Sequence, residues 1–335
     1  MKKSTKTKKL DMYDFKIIRE LEADARIPLS QIAKKVRLSK ETVNFRIKRL
    51  IKNGLIRYFY TIINASRLGY QYYKIFLKFS RIIEKTEKEI ISYLLREKSC
   101  ANLRVTEGPY DLCFVAMHRS PMGLKEFIHK FNEKFGNYLS QRSINIIISS
   151  HKLSQRFILP SKAKKIFMHH GEVGNNVLDE TDKKIIKILS TGARTKLIDI
   201  ARNIKADPNV VKYRMKKLEK KGIIVGYFAA LHLRQIGREF VQVDIAIKDP
   251  HSISGIIEFF DSTGACVFIS ELLGKYDLSV ELYIENDQQL RKMLAQFKEK
   301  FLRQYAAYDV SHIYGGFIIN WSPFDAYIAS KKGRE

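Results

Sequence analysis

Cysteine is scarce in this 335-residue sequence, acidic side chains are outnumbered, and long apolar runs are absent. Cys100, Cys113 and Cys266 are too few and too dispersed for a disulfide framework or a four-thiolate zinc site, which suits a reducing compartment. No stretch reaches the roughly 18 uninterrupted apolar residues of a membrane span. The lysines of Met1 to Lys9 lead into an amphipathic pattern and not into an apolar run, so no secretory signal is expected there and a cytoplasmic location is. The sequence has no glycine-rich phosphate loop, no nucleophile elbow and no histidine pair at metalloprotease spacing. No catalytic residue, cofactor or metal is expected, and His169-His170 has no third ligand at sensible spacing.

What is abundant is positive charge. Lys and Arg number 61 against 35 Asp and Glu, a formal net charge of +26. Such a surplus attracts polyanions, although a solvated lysine-rich surface would give the same count. Its placement separates the two readings. Residues 1–57 hold 17 Lys and Arg against 6 Asp and Glu, a net of +11 in about one sixth of the chain.

The chain repeats itself. Leu10-Asp11 through Tyr73 aligns with Leu178-Asp179 through Val241 at an offset of 168, matching Asp14 with Asp182, Ala25-Arg26 with Ala193-Arg194, and Gly54 with Gly222. Further on, Gly108-Pro109-Tyr110-Asp111-Leu112 aligns with Gly274-Lys275-Tyr276-Asp277-Leu278 at an offset of 166.

Each half opens with helical periodicity. Leu10, Tyr13, Ile17, Ile18 and Leu21 share one helix face, and Leu29, Ile32, Ala33 and Val36 give a short second helix. Ser39, and Asp207 followed by Pro208, are start signals for a third helix, which closes at Gly54 or Gly222. Three helices with a short turn before the third make a helix-turn-helix. In the first unit Val43, Ile47 and Leu50 face inward, leaving Ser39, Lys40, Thr42, Asn44 and Phe45, and then Arg46, Lys48 and Arg49, for a DNA groove. The second unit offers Asn209, Lys212, Tyr213, Arg214, Lys216 and Lys217, so the two readers differ and should prefer different half-sites. A packing module without DNA contact is the alternative reading of the same helices.

After each helix-turn-helix the pattern changes. Tyr73, Ile75, Leu77 and Phe79 alternate with Tyr72, Lys74, Phe76 and Lys78, a two-faced strand. Helical stretches near 85–96 and 122–135, two strands around Gly108 and a last strand near 143–149 complete a β-α-β-β-α-β order, which is ferredoxin-like. The fold class expected is α+β, two tandem copies of a winged helix-turn-helix followed by a ferredoxin-like βαββαβ domain. The expected domains are a basic tail (1–9), helix-turn-helix (10–57), connecting strand (58–70), α/β domain (71–159), linker (160–177), helix-turn-helix (178–225), connecting strand (226–238), α/β domain (239–320) and tail (321–335).

With Leu-Asp at its start, Ala-Arg after the first helix and Gly-x-Tyr-Asp-Leu in the central hairpin, the chain resembles the Lrp/AsnC family of regulators twice over. The resemblance implies a transcriptional regulator of double-stranded DNA with an amino-acid-sensing and dimerisation domain. Here the two halves would serve as an internal pseudo-dimer on an imperfect inverted repeat, with further homo-oligomers open. It also implies effector binding beside Gly108, Tyr110, Asp111, Gly274, Tyr276 and Asp277. A turn motif, with glycine for freedom, aspartate for a local bond and tyrosine for packing, explains the same six residues.

Two rival functions fit the same sequence. Sirohaem decarboxylases resemble this chain in their two-domain unit, but their hairpin is understood to carry Tyr-Asn-Leu-Trp, where this one has Tyr110-Asp111-Leu112-Cys113 and Tyr276-Asp277-Leu278-Ser279. Trp321, the one tryptophan, lies beyond the last expected strand. A low-specificity architectural DNA-binding protein is the second rival, because phosphate contacts alone give affinity without sequence choice. The expectation is that the chain is not an enzyme.

Overall fold

A computed structural model describes residues 10–153, 166–316 and 320–324. The first half runs α1 (Met12–Ala23), α2 (Leu29–Val36), α3 (Lys40–Lys52), β1 (Ile56–Ile63), β2 (Gln71–Phe79), α4 (Glu84–Arg96), β3 (Cys100–Glu107), β4 (Leu112–His118), α5 (Pro121–Phe135) and β5 (Leu139–Lys152). A short strand β6 (Ile166–His169) leads to the second half: α6 (Glu180–Thr191), α7 (Leu197–Ile204), α8 (Pro208–Lys220) and β7 (Ile224–Leu231). Then come β8 (Glu239–Ile247), α9 (Ile253–Ser262), β9 (Cys266–Leu273), β10 (Leu278–Ile284), α10 (Asp287–Lys300) and β11 (Tyr305–Gly316). The two winged helix-turn-helix units and the two βαββαβ units expected from the sequence are all present.

Local signals set the helix boundaries. The Asp11 carboxylate accepts from the Asp14 backbone N–H while the Asp14 carboxylate accepts from that of Asp11, a reciprocal cap on the first turn of α1. Ser39 Oγ caps α3 by accepting from Thr42 N, and Gly54 closes it at a φ of +77°, a left-handed conformation that suits glycine.

The helix-turn-helix units are interlocked. β1 pairs antiparallel with β7. This ribbon lets Ala229 and Leu233 of the second half complete the core formed by Ile17, Leu21, Val43 and Leu50. Ile63 and Leu68 do the same for the core of Ile185, Leu189 and Leu218. The repeated Ala-Arg pairs turn out to be a mutual clamp: Arg26 Nη1 donates to the carbonyls of Ala193 (2.6 Å) and Thr195 (3.0 Å), and Arg194 Nη1 donates back to Ala25 and Ile27.

The two α/β units share one sheet. Each contributes four strands, and their edges meet as β3 with β11 and β5 with β9, so that β2-β4-β3-β11-β8-β10-β9-β5 closes on itself through β2–β5. Closure leaves these strands no free edges to template aggregation. Strand alternation then separates the two faces. Outward, Ile75, Leu77 and Phe114 pack under Ile90, Leu94 and Phe131 of α4 and α5, while Val243, Val280 and Leu282 pack under Phe260 and Phe297 of α9 and α10.

Inward, the ring holds charge. Lys74 Nζ donates to Ser279 Oγ (2.7 Å), which donates to Asp244 (2.5 Å). Arg104 grips Glu281 through two contacts of 2.6 and 2.8 Å, and Lys74 Nζ stands 3.6 Å from the same carboxylate. All four charged groups are buried. Burial pushes the Glu281 carboxyl up, but the Arg104 and Lys74 charges outweigh it and hold it below its ordinary range.

One boundary differs from the sequence reading. Residues 160–177 were expected to be a linker; 160–165 lie outside the described residues, but β6 pairs with β5 and the following segment is pinned by Gly174 N to Ser66 O (2.7 Å) and Asn176 N to Arg67 O (3.1 Å). Gly174 is there for proximity, since a Cβ would stand 2.8 Å from the Arg67 carbonyl oxygen. Gly174 and Asn176, within the expected linker, serve close packing in the fold.

Replacing one partner of a buried ion pair leaves the others without a counter-charge, at a cost of about 3–5 kcal/mol. Glu281→Gln is therefore expected to lower the urea unfolding midpoint by a corresponding amount. Adding Lys74→Met should recover part of the loss, and a midpoint equal to wild type for the single variant would show that the ring does not depend on this pairing.

Candidate nucleic-acid interface and a basic cavity between the halves

The third helix of each reader turns Val43, Ile47 and Leu50, or Val211, Met215 and Leu218, into its core. Lys40, Phe45 and Lys48 stand exposed on α3, with Asn44 half-buried beside them. Ser39 and Thr42 are used mainly in the cap, their hydroxyls 2.9 Å apart. On α8 Asn209, Lys212, Tyr213, Lys216 and Lys217 are exposed, together with Val210, Glu219 and Lys220. Phe45 and Tyr213 occupy equivalent positions and are 66% and 68% exposed, a large outlay of aromatic surface for residues that support no core.

Three arginines expected on the groove face are engaged elsewhere. Arg46 Nη1 binds the carboxylates of Asp11 (2.7 Å) and Asp14 (2.9 Å), and Arg49 Nη2 binds Asp14 (2.6 Å). Arg214 Nη1 repeats the pattern with Asp179 (2.5 Å) and Asp182 (2.9 Å). These pairs clamp the third helix to the first turn of the first helix. The clue lay in the sequence: an aspartate on the apolar face of α1 or α6 is buried and needs a cation.

The six hairpin residues hold the ring together. Asp111 accepts from Phe79 N and from Lys78 Nζ, each at 2.7 Å, and Asp277 accepts from Ile247 N at 2.6 Å. Gly108 and Gly274 allow the halves to cross closely: a Cβ would lie 2.6 Å from Val310 O and 2.5 Å from Asn145 Oδ1 respectively. Tyr110 and Tyr276 are buried around Phe76, and the Tyr276 hydroxyl donates to Asp309 (2.5 Å). This is the geometry of the turn-and-packing reading, and none of the six lines the cavity described next.

Between the mouth of the ring and the β1–β7 ribbon lies a cavity of about 220 Å³. Among the described residues its Lys and Arg side chains are Arg57, Lys74, Arg104, Lys152 and Arg234, against the single carboxylate of Glu281. Tyr58, Tyr60, Tyr72, Phe240, Tyr283 and Trp321 give it aromatic walls. Lys152 is the most unusual group: its ammonium lies 4.4 Å from the Phe228 ring centre and 3.8 Å from Glu22 of α1, and burial depresses its pKa. The indole Nε1 of Trp321 is buried with no hydrogen-bond partner among the described residues.

His170 also lines this cavity. Its Nδ1 lies 3.2 Å from Ser66 Oγ, its ring is packed against Tyr72, and burial lowers its pKa to about 4. His169 is exposed, so the neighbouring histidines face apart. The cysteines are buried, with Cys100 pushed up to about 12 and Cys113 to about 11, so they are protonated thiols that pack.

Sequence reasoning missed the cavity because its cations sit on β1, β2, β3, β5 and the loop after β7, and only ring closure brings them together. One signal was available in Lys74, placed among the apolar and aromatic residues of β2. Trp321 was read as part of a tail; the chain from Asn320 to Phe324 instead returns to the protein, with Asn320 N bonded to Ala101 O (2.8 Å). Lys331, Lys332 and Arg334 lie outside the described residues.

Comparison with known proteins agrees with this architecture. Residues 10–57 and 178–225 each match the winged helix-turn-helix DNA-binding family model. The HTH-type transcriptional regulator FL11 of Pyrococcus furiosus is 33% identical over 121 residues, 36% of this chain and 78% of the relative. The chain belongs to the Lrp/AsnC family. A further similar sequence is Ptr1 of Methanocaldococcus jannaschii, an HTH-type transcriptional regulator, at 28% identity over 36% of this Lrp/AsnC chain and 81% of the relative. Each such relative matches little more than a third of the tandem. Over the whole length, the fold is similar to that of the siroheme decarboxylase NirDL, with a TM-score of 0.63 at 12% identity, covering 92% of this Lrp/AsnC chain and 94% of NirDL. Among the described residues no helix is long and apolar enough to cross a membrane.

His170 makes a pH prediction. Its folded pKa of about 4 lies below the ordinary 6.5, so its burial contributes stability that is fully present above 6.5 and lost as pH falls towards 4. Over that window the loss is up to about 3 kcal/mol. Chemical denaturation at pH 7 and pH 4.5 should show it, and His170→Gln should flatten the dependence. A residual slope is expected, because burial also depresses His118 and His232.

Proposed function

We propose that this protein is a sequence-specific regulator that binds double-stranded DNA through α3 and α8, its two halves acting as an internal pseudo-dimer. The observation that carries the reading is the pair of exposed faces, Lys40, Phe45 and Lys48 on one helix and Lys212, Tyr213 and Lys216 on the other. Lysines there would reach phosphates or guanine edges, Asn44 can pair with adenine, and an exposed ring suits a thymine methyl. The mutual arginine clamp would hold the readers at one separation, as two half-sites on one duplex require. The relatives named as transcriptional regulators support the same reading.

A siroheme-decarboxylase-like enzyme is the second reading. The full-length likeness to NirDL and the basic, ring-walled cavity favour it. Size weighs against it: a dry cavity of about 150 Å³ holds benzene, and one of 220 Å³ is far short of a tetrapyrrole unless the ribbon opens. The two readings separate in a titration with the iron-uroporphyrin III analogue held in a NirDL co-complex, where a saturable shift of its absorption band would bring the enzyme forward.

The regulator reading is tested by fluorescence anisotropy with the protein's own upstream DNA and a scrambled duplex across a salt series. Preference for the upstream duplex by about a thousand-fold, with a steep loss of affinity as salt rises, is expected. Lys48→Gln and Lys216→Gln should each reduce the salt slope by about one. Phe45→Ala should weaken the upstream duplex and leave the scrambled one unchanged. Equal binding of both duplexes would indicate an architectural protein, and no binding at low salt would remove the reading.

A further inference from the structure

We propose that the cavity between the ring mouth and the β1–β7 ribbon is a binding site for an aromatic small molecule carrying at least one strong negative group, such as an aryl phosphate or an aryl dicarboxylate. The assignment goes beyond the regulator reading by naming an effector class, and rests on that reading only for its consequence at DNA.

Charge is the first argument. Five lysine and arginine side chains line the space with one carboxylate, and Glu281 is already held by Arg104 and Lys74. A weakly compensated buried cation is costly, and among the described residues Lys152 has Glu22 at 3.8 Å and the Phe228 ring face for partners. An incoming anion would repair that deficit. The same count weighs against a zwitterion. The ammonium of an amino acid needs a carboxylate, and among the described residues the lining offers only Glu281, which is committed. This separates the site from the amino-acid effector that the family resemblance implied beside the hairpins.

Shape is the second argument. Tyr58, Tyr60, Tyr72 and Trp321 present ring surfaces that suit a flat hydrophobic group, and the Trp321 indole N–H, without a partner among the described residues, can donate to an acceptor on it. Compared with a benzene-sized cavity of about 150 Å³, 220 Å³ fits one ring with its anionic substituent or two fused rings.

Position supplies the consequence. Lys152 belongs to β5 of the ring, Glu22 belongs to α1 of the first reader, and Tyr58 and Arg57 belong to the ribbon that joins both readers. An anion that draws Lys152 away from Glu22 would alter the contact between ring and reader. Occupancy would thus reach the DNA-binding units through groups that touch both.

Trp321 is the only tryptophan in the chain, so its emission reports on this cavity in the full-length protein. Phenyl phosphate and 1-naphthyl phosphate are titrated without DNA, with L-phenylalanine, benzyl alcohol and inorganic phosphate as controls. Saturable emission changes are expected for the aryl phosphates, with Kd at least ten-fold lower than for any control. Lys152→Gln should raise that Kd ten-fold or more, and Lys216→Gln on α8 should leave it unchanged. If Lys152→Gln does not fold, Arg57→Gln, at an exposed position, replaces it with the same expected direction. Absence of saturable change, L-phenylalanine binding as tightly, or wild-type Kd in the cavity variant would overturn the proposal. Since no DNA is present, failure of the regulator reading would appear in the duplex assay alone and leave this result standing.

Discussion

The interior of the strand ring is held by opposite charges supplied from opposite halves. Lys74 and Arg104 come from the first, Asp244 and Glu281 from the second. In a pair of identical halves every one of these charges would occur twice, once on each side of the ring. In this repeat they do not: Lys74 aligns with Gln242, and Arg104 with Ser270. Fusion into one chain removes the identity requirement, and the polar filling of the ring depends on that freedom. The excess of cations at the mouth follows from the same division, because the first half carries more of them than the second half neutralises.

Above the ring, the readers are joined by backbone as much as by side chains. The β1–β7 ribbon completes both helical cores, so neither helix-turn-helix is a separate body tethered by a loop. The Arg26 and Arg194 contacts end on carbonyl oxygens and not on carboxylates, which makes them insensitive to the protonation of any partner. Rigid spacing between the readers is thus a property of their joint.

Much of this architecture was legible in the sequence. Helices announced themselves by apolar spacing and caps, as at Ser39 and Gly54, and the constant offset between halves revealed two units. What a periodicity cannot tell is which polar residue on an amphipathic element is spent inside. Arg46 and Arg214 read as groove residues because they lie near the outer face of the third helix, but the buried Asp14 and Asp182 draw them back. The cavity was illegible for another reason. Its members are far apart in sequence and acquire a common environment only when β3 meets β11 and β5 meets β9. The Gly-x-Tyr-Asp hairpins stood out as motifs, and the structure uses them for the crossing points that this closure needs.

Covalent continuity has a further effect on assembly. Two separate half-chains would find each other by diffusion and fall apart on dilution, so the fraction paired would depend on how much protein the cell makes. Here β6 is paired with β5 and the chain after it is pinned near Ser66 and Arg67, which keeps the second half beside the first. The effective concentration of one half for the other is then fixed by the chain and not by expression. A molecule built this way presents both readers together even at a few copies per cell, with no threshold of abundance to cross.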